Sequence, residues 1–123
     1  MEKVNLAAAL ADVTEHWRPR VVGRLNGQEV KIAKFEGEFV WHRHADADEL
    51  FLALAGTFRV EFRNRAVALE PGELLVVPRG VEHRTVAERE AAALLFEPAG
   101  TRNTGDVVHP RFTAPPSATD RTR

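Results

Sequence analysis

The sequence contains no cysteine and no tyrosine among its 123 residues. Without cysteine, disulfide bonds and thiolate metal sites are excluded, so any bound metal ion would need nitrogen and oxygen ligands. The 17 basic and 18 acidic residues nearly balance, and the formal net charge of -1 gives no general attraction to nucleic acid or anionic membranes. No apolar run approaches the roughly 20 residues that a membrane-spanning helix needs. Histidine and carboxylate side chains remain as the main carriers of chemistry.

A chain of this length suits one domain with one hydrophobic core. We expect that domain to span residues 1–113, with a helical segment at 1–19, a barrel at 20–97 and a C-terminal extension at 98–113. Residues 114–123 are expected to be disordered, because they cannot bury enough apolar surface to offset the entropy of ordering. The N-terminus has no basic segment followed by an apolar core, so we expect no signal peptide and a cytoplasmic location.

The first element is predicted to be a short amphipathic helix. Apolar side chains recur every three or four residues among helix-forming alanines, which predicts a helix from Leu6 to Trp17. Asn5 can cap its first turn, and Pro19 follows shortly after its end.

After Pro19, short runs of β-strand character alternate with turn residues. Asn26-Gly27 is typical of a two-residue β-hairpin, since both positions tolerate positive φ. The patterns predict strands at 21–25, 28–35, 39–44, 49–54, 58–62, 66–69, 74–77, 83–86 and 91–96. The last strand is ambiguous because residues 87–96 have helical propensity, and its neighbours favour the strand. Strands at this regular spacing indicate an all-β sandwich or barrel.

Two histidines and a glutamate form the most informative pattern. In an extended segment His42 and His44 point to one face, and the following turn brings Glu49 beside them on the next antiparallel strand. Two imidazoles and one carboxylate in this arrangement suit a divalent transition metal with open coordination positions. A fourth ligand must come from elsewhere, and His83, three residues after the turn residue Gly80, is the candidate.

The combined pattern resembles the two motifs of the cupin superfamily. The first motif, glycine, two histidines, glutamate and glycine, is matched by Gly37, His42, His44, Glu49 and Gly56. The second motif is matched at every position by Gly72, Pro78, Gly80 and His83. Four residues separate Gly37 from His42 where the family pattern has five, and Ala87 replaces an asparagine that often closes the second motif. Neither departure affects a residue that binds metal in the family.

The resemblance implies an all-β fold, a small double-stranded β-helix or jelly-roll barrel with one short N-terminal helix. It also implies one divalent transition metal (Mn, Fe, Ni, Co, Cu or Zn) bound by His42, His44, Glu49 and His83, and it suggests a homodimer. The chain is similar to the short single-domain cupins of the cupin 2 type, often labelled mannose-6-phosphate isomerase-like. True phosphomannose isomerases are much longer, so that activity is not carried over.

Three functions fit such a site. The first is a metal-dependent enzyme, an isomerase or an oxygenase, acting on a small sugar-like or keto/enol molecule, in which Glu49 could leave the metal and act as a base. The absence of tyrosine, cysteine and a second clearly placed acid–base group weakens the isomerase hypothesis. The alternative is a non-catalytic ligand-binding or sensor module with the same pocket. A structural metal site is less favoured, because structural sites are usually closed.

Other side chains have two interpretations each. Phe51, Thr85 and Leu95 either line the pocket or fill it, and Arg79 either contacts an anionic substrate or is solvated. Strand parity places Phe39, Trp41 and Arg43 on the outer face, opposite the histidines. Trp41 then either packs within its own chain or joins a dimer interface. His16 is expected at the surface, and His109 is not expected to reach the site.

Overall fold

A computed structural model of the chain describes residues 1–115. The elements are α1 (Leu6–Ala11), β1 (Arg20–Leu25), β2 (Gln28–Glu38), β3 (Glu49–Ala55), β4 (Phe58–Phe62), β5 (Arg65–Leu69), β6 (Leu74–Val77) and β7 (Arg84–Pro98). The predicted hairpin at Asn26-Gly27 is confirmed, with Leu25 paired to Gln28 across the turn. The described part of the chain contains no helix long and apolar enough to cross a membrane.

All pairs between the described strands are antiparallel, and β7 is the strand that pairs with three others. The main sheet has the order β1-β2-β7-β3-β6. One edge of β7 pairs with β2, whereas its other edge pairs with β4 through residues 84–86 and with β3 through residues 92–96. Because the two ends of β7 pair with different strands, the sheet curves around one core. This is the jelly-roll fold that the sequence predicts.

The two predicted strands at 83–86 and 91–96 form one continuous strand. Residues 87–90 have helical propensity, but β7 runs through them, and β2 pairs with it at Ala87, through Gly37, and at Ala91, through Phe35. Tertiary pairing therefore overrides local propensity here.

The N-terminal helix is shorter than predicted. It begins with Asn5, whose Oδ1 accepts a hydrogen bond from the Ala8 N–H at 2.9 Å, but it ends at Ala11. Trp17 instead has φ 62, and its ring is buried between Phe35 and Phe39, with centroids 5.0 and 4.6 Å away. The prediction of helix as far as Trp17 is wrong because burying this indole in the barrel outweighs continuing an exposed helix.

The segment before the histidines is not the predicted strand. Residues 39–44 form only an isolated bridge at His42, and β2 continues to Glu38 through a bulge. Phe39 is buried in the core rather than facing outward, since strand parity does not hold in an irregular segment. Trp41 is half-buried, with the Arg63 guanidinium 3.9 Å and the Arg84 guanidinium 5.0 Å from its ring centroid.

The C-terminal extension packs onto the barrel. Thr104 is fully buried, and the Asn103 amide donates to the backbone oxygens of Trp17 and Phe112. The buried residue Ala114 donates its N–H to Asn103 Oδ1 at 2.8 Å, so packing extends beyond the predicted domain end at residue 113. The rest of the predicted disordered tail, from residue 116 on, lies outside the described residues.

Candidate metal centre

Backbone hydrogen bonds hold the two histidine-bearing segments together. His42 and His83 each donate an N–H to the other's backbone oxygen, at 3.0 and 2.9 Å, and Gly80 donates to the His44 oxygen at 2.8 Å. Glu49 is the first residue of β3 and pairs with Val77 of β6. Residues that are distant in sequence thus reach one end of the barrel on a fixed backbone.

The C-terminal extension supports the same segment from its other side. Arg43 donates its N–H to Asp106 Oδ1 at 3.0 Å, and Asp106 returns an N–H to the Arg43 oxygen at 3.0 Å. Gly105 lies so close that a Cβ there would be 2.1 Å from the Arg43 oxygen, and its φ is 56. Only glycine fits this contact, so the extension restricts the backbone between the two histidines.

The structure brings together His42, His44, Glu49 and His83, here called the His/Glu cluster. All four are buried, and one ligand atom from each lies within 4.8 Å of the others. Glu49 Oε1 is 3.2 Å from His44 Nε2 and 3.4 Å from His83 Nε2. Within residues 1–115, these three buried atoms have no hydrogen-bond partner. Buried polar atoms without partners are uncommon, and three at one point fit a site that binds a cation.

The histidine rings are oriented for metal binding. The Nδ1–H groups of His42 and His83 donate to the backbone oxygens of Val40 and Val81, both at 2.9 Å. This assignment of the ring protons leaves each Nε2 as the nitrogen with a free lone pair. Such outer hydrogen bonds fix the tautomer of histidines that bind metals in proteins.

The electrostatics favour the ligand forms that a cation requires. Burial, reinforced by the neighbouring His83, lowers the pKa of His42 to about 4, so its imidazole is neutral at pH 7. Burial alone would raise the pKa of Glu49, but interactions with His44 and His83 outweigh it and hold that pKa below its usual range. A neutral imidazole at His42 and an ionised carboxylate at Glu49 are the forms that bind a divalent transition metal, so the His/Glu cluster could bind one.

A cavity of about 30 Å³ adjoins the cluster. His42, Glu49 and Glu97 provide its charged or titratable groups, and Thr85 and Asn103 add neutral polar ones. Its apolar wall consists of Trp17, Pro19, Phe35, Phe39, Phe51 and Leu95. The predicted pocket residues Phe51, Thr85 and Leu95 therefore do line it.

Sequence reasoning missed a buried charged group beside this cavity. Lys31 Nζ donates to Glu97 Oε2 at 2.9 Å and lies 3.8 Å from Glu29 Oε1, while Arg24 Nε donates to Glu29 Oε2 at 3.1 Å. We call these four residues the Lys31 network. Burial and the negative charge of Glu49 raise the pKa of Glu97 well above its usual range, although Lys31 opposes this. Strand parity carried the missed signal, because Glu29 and Lys31 alternate along β2 in phase with inward-facing residues.

The other candidate residues lie elsewhere. Arg79 is exposed and pairs with Asp48, with 3.2 Å between Nε and Oδ1. His16 Nε2 is 2.7 Å from Glu90 Oε2, and the His109 ring packs against Phe112. Arg79, His16 and His109 therefore do not belong to the His/Glu cluster.

Comparisons with known proteins agree with this geometry. The Cupin domain family model matches residues 28–97, which include the whole His/Glu cluster. The uncharacterized protein YdbB of Bacillus subtilis is 37% identical over 82 residues, 66% of this chain and 73% of YdbB. A cupin-2 domain containing protein from Shewanella frigidimarina is 41% identical with a TM-score of 0.76, covering 77% of this chain and 93% of that one. Protein NMB1881 from Neisseria meningitidis is 32% identical with a TM-score of 0.73, covering 79% and 99% respectively.

Proposed function

The chain belongs to the Cupin domain family, and from that premise we propose that it binds a divalent transition-metal ion and uses it to bind and act on a small organic molecule. The proposed ligands are His42, His44, Glu49 and His83. The observation that carries the proposal is the convergence of three buried, unpartnered ligand atoms of this cluster on one point. Each would cost about 1–3 kcal/mol without a partner, and one ion would satisfy all of them.

The protein would divide the work between the ion and its own residues. When bound, a divalent transition metal supplies Lewis acidity toward a ligand oxygen, or a site for dioxygen chemistry. His42 and His83 hold their rings in place through the carbonyls of Val40 and Val81. Aromatic side chains form much of the cavity wall. The cavity of about 30 Å³ has little room, so it limits any ligand to a small molecule, and the sugar-like or keto/enol class stays a hypothesis from the sequence. That Glu49 also acts as a base stays a hypothesis, since it would first have to leave the metal.

Metal analysis of single-residue variants tests the proposal. Protein purified without added metal should contain close to one ion per chain, and His42→Ala, His44→Ala and His83→Ala should each lose most of it. Glu49→Gln should weaken binding. His16→Ala and His109→Ala serve as matched controls, because neither side chain belongs to the cluster. Near-stoichiometric metal in all four cluster variants would contradict the proposal.

The identity of the ion then directs the search for activity. Iron or copper would favour oxygen chemistry, whereas nickel, manganese or zinc would favour isomerisation, hydrolysis or anchoring of a ligand. A non-catalytic binding or sensor module, the alternative function, would bind metal and ligand without turnover.

A further inference from the structure

Strand β3 is apolar on both of its faces. Phe51 and Ala53 are buried in the core, whereas Leu50 and Leu52, which alternate with them, are half-buried on the outer face of the sheet. An antiparallel sheet that has water on one side normally alternates apolar and polar residues. An outer face of leucine is instead typical of a sheet that a second layer covers.

Strand β4 of the same chain shows the usual alternation. Phe58 and Val60 are buried in the core. Arg59 and Glu61, which alternate with them, form an ion pair on the outer face, with 2.7 Å between Nε and Oε2. The sequence thus places charges on a sheet face that meets water, so their absence from the outer face of β3 is a local feature that needs an explanation.

The strand register extends the apolar surface of β3 over four strands. Residues that pair directly across antiparallel strands lie on the same face, which gives two rows of side chains. The first row contains Val76, Leu50, Phe96 and Val30, and the second contains Leu74, Leu52 and Leu94. We call these seven residues the outer patch. Leu74 and Val76 are 58% and 49% exposed and the other five are half-buried, so no segment within residues 1–115 encloses the patch.

Polar residues border the outer patch without entering it. Gln28 and Lys34 lie further along β2 on the same face, and the ion pair of Arg79 with Asp48 lies beyond the ends of β6 and β3. Strands about 4.8 Å apart, with same-face residues about 6.8 Å apart, give the patch roughly 230 Å² in plan. A stable dimer buries about 800 Å² per subunit, with an apolar centre inside a polar rim. The outer patch can supply such a centre, and the bordering residues can supply the rim.

The chemistry of the patch favours a second copy of this chain as its cover. Residues 116–123, which lie outside the described residues, contain no apolar side chain larger than proline, so they offer little apolar surface to match it. In a symmetric dimer the same patch meets itself, and an uncharged patch does so without opposing like charges.

We propose that the outer patch is the centre of a symmetric homodimer interface, in which the sheets of two copies pack face to face. The interface is independent of the metal and of the proposed function. Trp41, which packs against Arg63 and Arg84, lies outside it. The patch therefore assigns the predicted dimer to a different surface from the one that strand parity suggests.

Sedimentation equilibrium of the wild type and Leu74→Lys tests the proposal. Leu74 is the most exposed residue of the patch and lies on the edge strand β6, where a lysine is tolerated by a folded monomer. Two-fold symmetry would bury the added charge twice in the interface, so the dimer Kd should rise at least about a hundredfold. Val108→Lys is the matched control, because Val108 is 71% exposed outside the patch, and its Kd should equal that of the wild type. Trp41→Glu should also remain dimeric.

Carbene footprinting of the unmodified chain locates the interface without any substitution. Diazirine photolysis labels exposed side chains, and mass spectrometry gives the extent at each residue. Labelling of Leu74 and Val76 should fall several-fold as the protein concentration rises through the dimer Kd, whereas labelling of Val108 should stay constant. This measurement decides the question if Leu74→Lys fails to fold, which circular dichroism would reveal.

A wild type that stays monomeric at tens of micromolar overturns the proposal and leaves the patch to a different protein. A wild-type dimer that persists in folded Leu74→Lys also overturns it, as does equal weakening in Val108→Lys. Unchanged labelling of Leu74 and Val76 in the dimer would place the interface on another surface and overturn it as well.

Discussion

The His/Glu cluster and the Lys31 network are two buried polar groups in one small barrel, and they are completed in different ways. In the network, the charges of Lys31 and Arg24 face the carboxylates of Glu29 and Glu97, although Oε1 of each carboxylate has no hydrogen-bond partner among the described residues. In the cluster, Glu49 faces only imidazoles, and three ligand atoms have no partner among the described residues. The network can exist without an added ion, whereas the cluster has the ligand set of a site that binds one.

The difference predicts that removing one residue has a different first consequence in each of the two groups. A network member balances the charge of its neighbours, so its loss should destabilise the fold. A cluster member contributes to binding an ion, so its loss should first remove the metal. The predictions below test this contrast, from the largest expected effect on stability to the smallest.

The largest effect is expected for Lys31→Met. Removing the ammonium group leaves Glu97 buried without its ion-pair partner and leaves Glu29 with Arg24, so the free energy of unfolding should fall by about 3–5 kcal/mol. Lys34→Met on the same strand is the matched control, because Lys34 is only half-buried and its loss should change stability by roughly 0.5 kcal/mol or less. Denaturant unfolding of the two variants gives the comparison. Equal stability of both would show that the network does not need its lysine.

Removal of the metal should have a smaller effect. An ion bound only by the native state adds about 3 kcal/mol when its free concentration is a hundredfold above Kd. The apolar core and the paired strands should hold the barrel without it. Chelation should therefore lower Tm while the β-type circular dichroism spectrum persists. A metal-free protein that is unfolded at room temperature would place the cluster among the elements required for folding.

The pH dependence of the metal-free protein should reveal His42. Its pKa is about 4 in the folded state, below the ordinary value of 6.5, so the unfolded chain binds more protons between these values. Stability should then fall as pH is lowered through this window, and His42 alone should contribute a loss of about 2 kcal/mol between pH 8 and pH 5. His42→Asn should lack this contribution in denaturant unfolding with chelator present. Identical pH profiles for the two proteins would refute it.

The homodimer predicted from the sequence stays a prediction, and so does the cytoplasmic location.

The smallest effect on folding is expected for a substitution of Trp41, which tests the predicted homodimer. A glutamate at position 41 would face Arg63 and Arg84, which now lie against the indole, so Trp41→Glu should still fold. Sedimentation equilibrium should give a wild-type dimer and a monomeric variant if Trp41 lies at the interface. A monomeric wild type at tens of micromolar would end the dimer prediction, and a dimeric variant would move the interface elsewhere.

Much of the fold could be predicted because local signals and tertiary pairing agree. Turn residues such as Asn26-Gly27 and the alternation of β4 predict strands that the structure contains. Spacing in the two motifs also brought His42, His44, Glu49 and His83 together, although the segment carrying the first two is not a strand. The backbone of that segment is held by hydrogen bonds to Gly80, His83 and Asp106, which lie far away in the sequence, so no local pattern reveals its conformation.

The failures share one physical cause. Trp17 has helical spacing, yet its ring gains more from the barrel interior than from an exposed helix. Lys31 and Glu97 look like solvated charges until β2 and β7 pair and bury them against each other. In both cases burial by elements far away in sequence decides the outcome, and local propensity cannot supply that information.

X-ray absorption spectroscopy of the metal-loaded protein tests the central claim most directly. The account predicts one shell of nitrogen and oxygen atoms at about 2.0–2.2 Å, as found for imidazole and carboxylate ligands. It also predicts multiple scattering from the imidazoles of His42, His44 and His83, and a metal absorption edge that is largely lost in His83→Ala, because that variant should lose most of its metal. A shell of oxygen atoms without imidazole scattering, or a wild-type spectrum unchanged in His83→Ala, would contradict the claim that the His/Glu cluster binds the metal.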